Sequence, residues 1–247
     1  MIELNMKVEL FVPCFIDQLY PDTAFNTIRL LEKAGCEVVY NPDQTCCGQP
    51  AYNAGFWDDA KQVGKKFLDD FSGQHLIISP SASCTGMVRH GYSDLFANSA
   101  DSHQCHKIQQ QVMEVSDFLV NVLKKEYFGA ELEGVAVYHD SCSALRECKI
   151  KNEPRKLLSR VLGLEMVEVK DSETCCGFGG SFAVKFEGIS AAMAEQKVRN
   201  AMALNADYII STDSSCLLQL QGYIDKHKLP IQTLHLVDVL TTGWGNI

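Results

Sequence analysis

The sequence predicts an α/β protein made of two tandem, pseudo-twofold-related parallel-sheet units of Rossmann-like type, residues 1–130 and 131–247. Three observations lead there. A four-cysteine block occurs twice, as Cys14, Cys46-Cys47-Gly48, Cys84 and as Cys142, Cys175-Cys176-Gly177, Cys216, with offsets between copies of 128, 129, 129 and 132 residues. The flanks repeat too: Gln44-Thr45 precedes the first pair and Glu173-Thr174 the second, while Leu76-Ile77-Ile78-Ser79 reads against Tyr208-Ile209-Ile210-Ser211. Short apolar runs alternate with helically spaced segments in both copies, the pattern of βαβ units and a parallel sheet. A period near 129 residues is domain-sized, and two copies are too few for a solenoid.

In chain order, residues 8–12 are a strand ending at Pro13-Cys14. Residues 22–34 carry Phe25, Ile28 and Leu31 at helical spacing, with Gly35 as the stop. Residues 37–40 are a second strand leading into the Cys46-Cys47 loop. Residues 57–71 are a helix with Val63, Phe67, Leu68 and Phe71 on one face, and Phe11, Phe25, Phe67 and Phe71 are expected in the core. Residues 76–78 are a third strand, and Cys84 opens the helix after it. The second copy gives strands at 135–138, 166–169 and 208–210 and helices at 154–162 and 189–204. The stretch 93–133 follows the repeat least, and a helix over 112–127 is expected to bridge the halves. Within it, Val115-Ser116-Asp117-Phe118-Leu119 echoes Val237-Asp238-Val239-Leu240.

Each motif cysteine therefore falls just beyond the carboxyl end of a strand, where the loops of an open parallel sheet converge. Cys84 and Cys216 also open helices, whose amino ends favour thiolate over thiol. Gly48 and Gly177 are expected to let backbone pass close to a bulky cofactor. Four thiolates per half fill either a zinc site or an iron–sulfur cluster. They are Cys14, Cys46, Cys47 and Cys84, then Cys142, Cys175, Cys176 and Cys216. Zinc knuckles use Cys-x2-Cys and bacterial ferredoxins Cys-x2-Cys-x2-Cys-x3-Cys-Pro, and neither spacing occurs. Adjacent thiolates joined by two remote ones suit an object larger than one ion. That favours an iron–sulfur cluster in each half, with zinc in one or both halves as the alternative.

The 247 residues carry a net charge of −9, and no run of lysine or arginine suits nucleic acid or an anionic membrane. Neither a secretory signal nor a span of ~18 apolar residues is read from the sequence, so a cytoplasmic protein is expected. In that reducing compartment 11 cysteines point to metal or redox chemistry rather than disulfides. Cys36, Cys105 and Cys148, outside the repeat, are read as buried small apolar residues. His103-x-Cys105-His106 is read as a polar surface loop. His139 is placed to hydrogen-bond a cluster sulfur or to serve as a structural histidine. Gly177-Phe178-Gly179-Gly180 is not a dinucleotide fingerprint, because Phe182 stands where its third glycine belongs.

The doubled Thr-Cys-Cys-Gly pattern resembles the cysteine-rich CCG-domain family, which includes the CCG-bearing component of heterodisulfide reductase and the iron–sulfur component of glycolate oxidase. Leu10-Phe11-Val12-Pro13-Cys14, Gln44-Thr45-Cys46-Cys47-Gly48-Gln49-Pro50-Ala51, Tyr138-His139-Asp140-Ser141-Cys142 and Cys175-Cys176-Gly177-Phe178-Gly179-Gly180-Ser181-Phe182 are similar to its lactate-utilisation branch. The resemblance covers nearly the whole chain. It implies a cytoplasmic protein with iron–sulfur clusters, of [4Fe–4S] type, working with other iron–sulfur subunits (LutB- and LutC-like) to oxidise L-lactate to pyruvate. The heterodisulfide reductase pattern ends in Cys-x2-Cys, whereas Cys84 is followed by Thr85-Gly86-Met87 and Cys216 by Leu217-Leu218-Gln219. The missing fifth thiolates argue against noncubane clusters and direct disulfide cleavage.

No catalytic base with a carboxylate clamp is assigned, and no flavin or nicotinamide site is read that would accept a hydride. The chain is expected to relay electrons in an L-lactate-oxidising complex and to be inactive alone. The alternatives are a heterodisulfide or thiol–disulfide reductase-type enzyme, the iron–sulfur component of a glycolate oxidase, and a zinc-bearing interaction module with no redox role.

Overall fold

The computed structural model describes residues 6–245. Strand β1 (Met6–Leu10) pairs in parallel with β2 (Cys36–Tyr40) on one side and β3 (Leu76–Ser79) on the other, and β3 pairs with β4 (Val112–Glu114). In the second half β5 (Glu131–Tyr138) takes the central place between β6 (Leu162–Val167) and β7 (Tyr208–Ser211), with β8 (Gln232–His235) beyond. The strand orders β2-β1-β3-β4 and β6-β5-β7-β8 are the same, and every pairing is parallel. These are two tandem Rossmann-like units, as the alternation of strand and helix signals requires. Val8, Leu10, Ile77 and Ile78 are wholly buried because helices cover both faces of such a sheet. Among the described residues no helix is long and apolar enough to cross a membrane.

Several elements differ from expectation. Residues 112–127 are not one helix: Val112–Glu114 is a strand, helical turns follow through 115–122, and Tyr127 is exposed in irregular chain. Its β-branched start pairs with β3, so the local apolar spacing yields to the sheet. Strand β8 has no counterpart among the expected elements, because Gln232-Thr233-Leu234-His235 is too polar to stand out. Strand β6 starts at Leu162, four residues ahead of the expected 166. Phe25 is 64% exposed, since helix Pro21–Lys33 turns Thr23, Thr27, Leu30 and Leu31 inward and Phe25 falls on the opposite side. His103 and His106 lie exposed on helix Ser102–Gln111 rather than in a loop, with Cys105 buried beneath. Cys36 and Cys148 are buried as well.

The halves exchange their last helices. Helix Leu236–Leu240, after β8, packs on helix Pro21–Lys33 of the first half, and the turns at 115–122, after β4, pack on helix Asn152–Leu158 of the second. Leu30, Leu31, Phe118, Leu119, Leu157, Leu158, Leu236 and Leu240 thereby join one apolar cluster. Each such side chain contributes about 1.5–3 kcal/mol by burial. Thr23 Oγ1 and Asn26 Nδ2 donate to Asp238 across this junction at 2.7 and 2.9 Å. The bridging role expected of 112–127 is met in this reciprocal form.

Candidate metal centres

In the first half, Cys14 opens helix Cys14–Leu19 beyond β1, Cys46-Cys47 lie in the loop beyond β2, and Cys84 sits in helix Ala82–Gly86 beyond β3. Their sulfurs form one contiguous group. Cys14 Sγ donates to Cys46 Sγ at 3.6 Å, and Cys47 is near enough to Cys46 and Cys84 for these thiols to shift its ionisation. Gly48 N–H donates to Cys46 Sγ at 3.4 Å, and Cys84 N–H donates to Ser81 Oγ at 3.4 Å. Behind them the backing is aromatic. Phe11 meets Phe67 edge-on at 4.9 Å, and the Tyr92 hydroxyl donates to Cys47 O at 3.0 Å.

The second half reproduces the loop geometry. Gly177 N–H donates to Cys175 Sγ at 3.4 Å, and Cys175, Cys176 and Cys216 are near enough for their thiols to shift one another's ionisation. Cys142 stands farther out and is exposed, although it feels the charge of Cys175. His139, by contrast, is buried with Cys176 and Cys216, and the donor atoms of these three residues lie within 4.8 Å of one another. Neither ring nitrogen of His139 has a hydrogen-bond partner. Lys197 is buried beside it, donating to Asp171 O at 2.8 Å and Ser172 O at 2.6 Å.

Helix ends do not dominate the electrostatics as expected. Cys46 is held well below the ordinary thiol range by the hydrogen bond from Cys14 and by the neighbouring Cys47 thiol. Cys14, Cys47 and Cys175 are pushed up, first by bonding a neighbouring thiol and then by burial. The neighbouring Cys176 thiol lowers Cys216, but burial raises it above the ordinary thiol range, although it lies in the first turn of helix Ser214–His227. Burial and then the Lys197 ammonium depress His139 to about 3, leaving it a neutral imidazole. Burial also lowers Lys197 to about 8. Thiols this close resist ionising together, so a bound cation would supply the charge they lack. All 11 cysteines are free, and the unpartnered His139 nitrogens offer a further donor. The donor set fits a metal ion or cluster.

Gly48 and Gly177 serve a purpose other than the expected one. Both adopt left-handed backbone (φ +83° and +91°), and a Cβ would meet the facing helix rather than the sulfurs. It would lie 3.1 Å from Ala60 O in one half and 2.6 Å from Ser190 O in the other. The glycines let the paired-cysteine loop press against that helix.

The two sites are tied loop to loop. Asp213, buried just before helix Ser214–His227, makes no side-chain cap on its own helix. It reaches into the first half instead, accepting from Ser83 N–H at 2.9 Å and Ser81 Oγ at 3.1 Å, and within its own half it accepts from Ser141 Oγ. His235 Nε2 lies 2.9 Å from Pro80 O and 3.1 Å from Thr212 O. Phe15, next to Cys14, meets Phe178, just after Cys176-Gly177, edge-on at 5.5 Å. Asp213 and Lys197 escape a reading of the sequence alone. The one available signal was a lysine on the inward face of a helix that otherwise buries Ser190, Ala194, Val198 and Ala201.

Comparison with known proteins agrees with this architecture. The cysteine-rich CCG domain model matches residues 8–89 and again 136–221. Lactate utilization protein A of Halalkalibacterium halodurans is 42% identical over 236 residues, covering 95% of this chain and 96% of the relative. Lactate utilization protein A 2 of Bacillus cereus (strain Q1) is 38% identical over 239 residues, covering 96% and 99%. Among solved structures, a hypothetical protein from Helicobacter pylori matches 97% of this chain with a TM-score of 0.61 at 13% identity. This chain spans 49% of that one, and the likeness is one of fold.

Proposed function

The chain belongs to the lactate utilization protein A family of cysteine-rich CCG-domain proteins, and from that premise we propose that it is an iron–sulfur electron-transfer subunit of an L-lactate-oxidising system. The observation that carries the reading is the gathering of remote thiols at the same sheet edge in both halves, with the two sites set loop to loop. Residues 1–130 and 131–247 each hold one centre. Cys14, Cys46, Cys47 and Cys84 are the ligands of the first, and Cys142, Cys175, Cys176 and Cys216 the cysteine ligands of the second. Such a centre, of [4Fe–4S] type, accepts and releases single electrons when bound. Gly48 and Gly177 N–H groups donate to ligand sulfurs and ease their negative charge. Asp213 fastens the Cys84 loop to the Cys216 loop and fixes the spacing between sites. Hydride removal from lactate falls to partner iron–sulfur subunits in the cytoplasm, since no hydride-acceptor site is assigned in this chain.

The test is iron, sulfide and zinc analysis of anaerobically prepared protein, followed by lactate-dependent dye reduction. The expected result is iron with sulfide, no lactate activity in the chain alone, and activity once the partner subunits are added. Lactate oxidation by the single chain, or zinc without sulfide, would overturn the relay. A second reading, zinc in the second half, is favoured by one observation. The donor atoms of His139, Cys176 and Cys216 lie within 4.8 Å, the compass of a single ion.

A further inference from the structure

We infer that His139 is a nitrogen ligand of the metal centre in the second half, which makes that centre a mixed imidazole–thiolate site while the first half is held by thiolates alone. The inference rests on the preceding reading only in requiring a metal at the second site, and it holds for iron or zinc. Three observations carry it. His139 is 3% exposed and both its ring nitrogens are buried without a partner, a state a folded protein rarely keeps without a use for it. Its donor nitrogen, Cys176 Sγ and Cys216 Sγ lie within 4.8 Å of one another, the separation of ligands around one metal atom. Cys142, the cysteine that the repeat places at this site, is exposed, so the buried face of the site is closed by the imidazole.

The second nitrogen has an outlet. His139 and Lys197 line a cavity of about 10 Å³, with Val137, Ile209 and Leu220 among its walls. That is room for a single water bridging the imidazole to the third proton of Lys197, whose other two bond Asp171 O and Ser172 O. A metal-bound histidine ordinarily has such a partner for its other nitrogen. The first half cannot do the same, because Phe11 and Phe67 stand at the corresponding positions and offer no donor. His139 here takes the place that the repeat gives to the exposed Cys142, so one thiolate is replaced by a neutral imidazole, which removes a negative charge from the centre, and Lys197 adds a positive one nearby. The second centre therefore titrates at the higher potential and is the first to be reduced.

The experiment is X-ray absorption at the edge of whichever metal the chain carries, on the unmodified protein and on Cys47→Ser and Cys176→Ser, which each retain one half's centre. A nitrogen scatterer in the Cys47→Ser protein, absent from Cys176→Ser, is the expected result. The unmodified chain then shows nitrogen as a minority of a sulfur-dominated shell. Adding His139→Phe to Cys47→Ser is expected to remove the remaining metal while far-ultraviolet circular dichroism stays unchanged. A sulfur-only shell in both the unmodified chain and Cys47→Ser, with metal bound, overturns the assignment and leaves the electron-relay reading standing. Nitrogen found at a zinc edge with no iron present does the reverse: the ligand stands and the relay falls.

Discussion

The two halves share strand order, loop geometry and cysteine spacing, yet they differ in what lies behind the sulfurs. Three residues before the leading cysteine stands Phe11 in one half and His139 in the other. On the facing helices the glycine contacts align Ala60 with Ser190, and the same register sets Phe67 opposite Lys197. An interlocked aromatic pair in the first half is thus replaced by a buried imidazole and ammonium in the second. Buried polar groups cost stability unless partnered, whereas an edge-on aromatic pair adds to it. The duplication preserved the cysteine frame and let the environment diverge. Equal cysteine spacing therefore does not make equal sites.

The largest expected effect separates the halves outright. Cys47→Ser and Cys176→Ser are each expected to lose about half the bound metal and the double variant all of it, read by metal and sulfide analysis. If either single variant lost everything, the sites would be interdependent rather than paired. Next comes the aromatic backing. Phe11→Ala opens a cavity against Phe67 and Phe71 and is expected to cost about 3–5 kcal/mol in urea unfolding.

The third test contrasts the helix caps after β4 and β8. Glu114 Oε2 accepts from Ser116 N–H at 2.8 Å, and His235 Nδ1 accepts from Val237 N–H at 3.2 Å in the equivalent place. Glu114 is fully buried with Oε1 unpartnered, and burial lifts its carboxyl from 4.5 to about 7. The folded state holds a proton there that the unfolded chain releases. The contribution of Glu114 to stability is therefore full below pH 4.5 and is lost as pH rises toward about 7, by on the order of 3 kcal/mol. Glu114→Gln is expected to flatten this slope in denaturation measured from pH 4 to 8, and an unchanged slope would assign it elsewhere. The smallest effect concerns Lys197→Met, which strands the Asp171 and Ser172 carbonyls and is expected to cost about 1–3 kcal/mol. It should also lower the potential of the second centre without moving the first, as read by spectroelectrochemistry.

Much of the frame is legible in the sequence because the duplication prints each feature twice. Leu76-Ile77-Ile78 and Tyr208-Ile209-Ile210 identify the buried strands beside the sheet centres, and the cysteine pairs mark the loops at their ends. The outer strands β4 and β8 are not legible. They are only three and four residues long, and their pairing is decided by strands 35 and 24 residues away in sequence rather than by local pattern. Phe25 misleads because a helix stripe two residues out of phase buries threonines, which bond Asp238 in the other half and the helix backbone. His139 is visible as a candidate, but its exchange for Phe11 and the accompanying Lys197 emerge only when the halves are laid over one another. Asp213 is invisible for the same reason: the helix it caps belongs to the other half.

The exchange of last helices also governs the order in which the molecule can be made. Helix Pro21–Lys33 leaves the ribosome early, but helix Leu236–Leu240, which covers it, follows roughly 200 residues later. At about 5–20 residues per second that is a lag of roughly 10–40 s. Leu30 and Leu31 lack that cover throughout the interval, so a nascent chain shorter than residue 236 presents an apolar face for chaperones to hold. The first half is begun first and finished last.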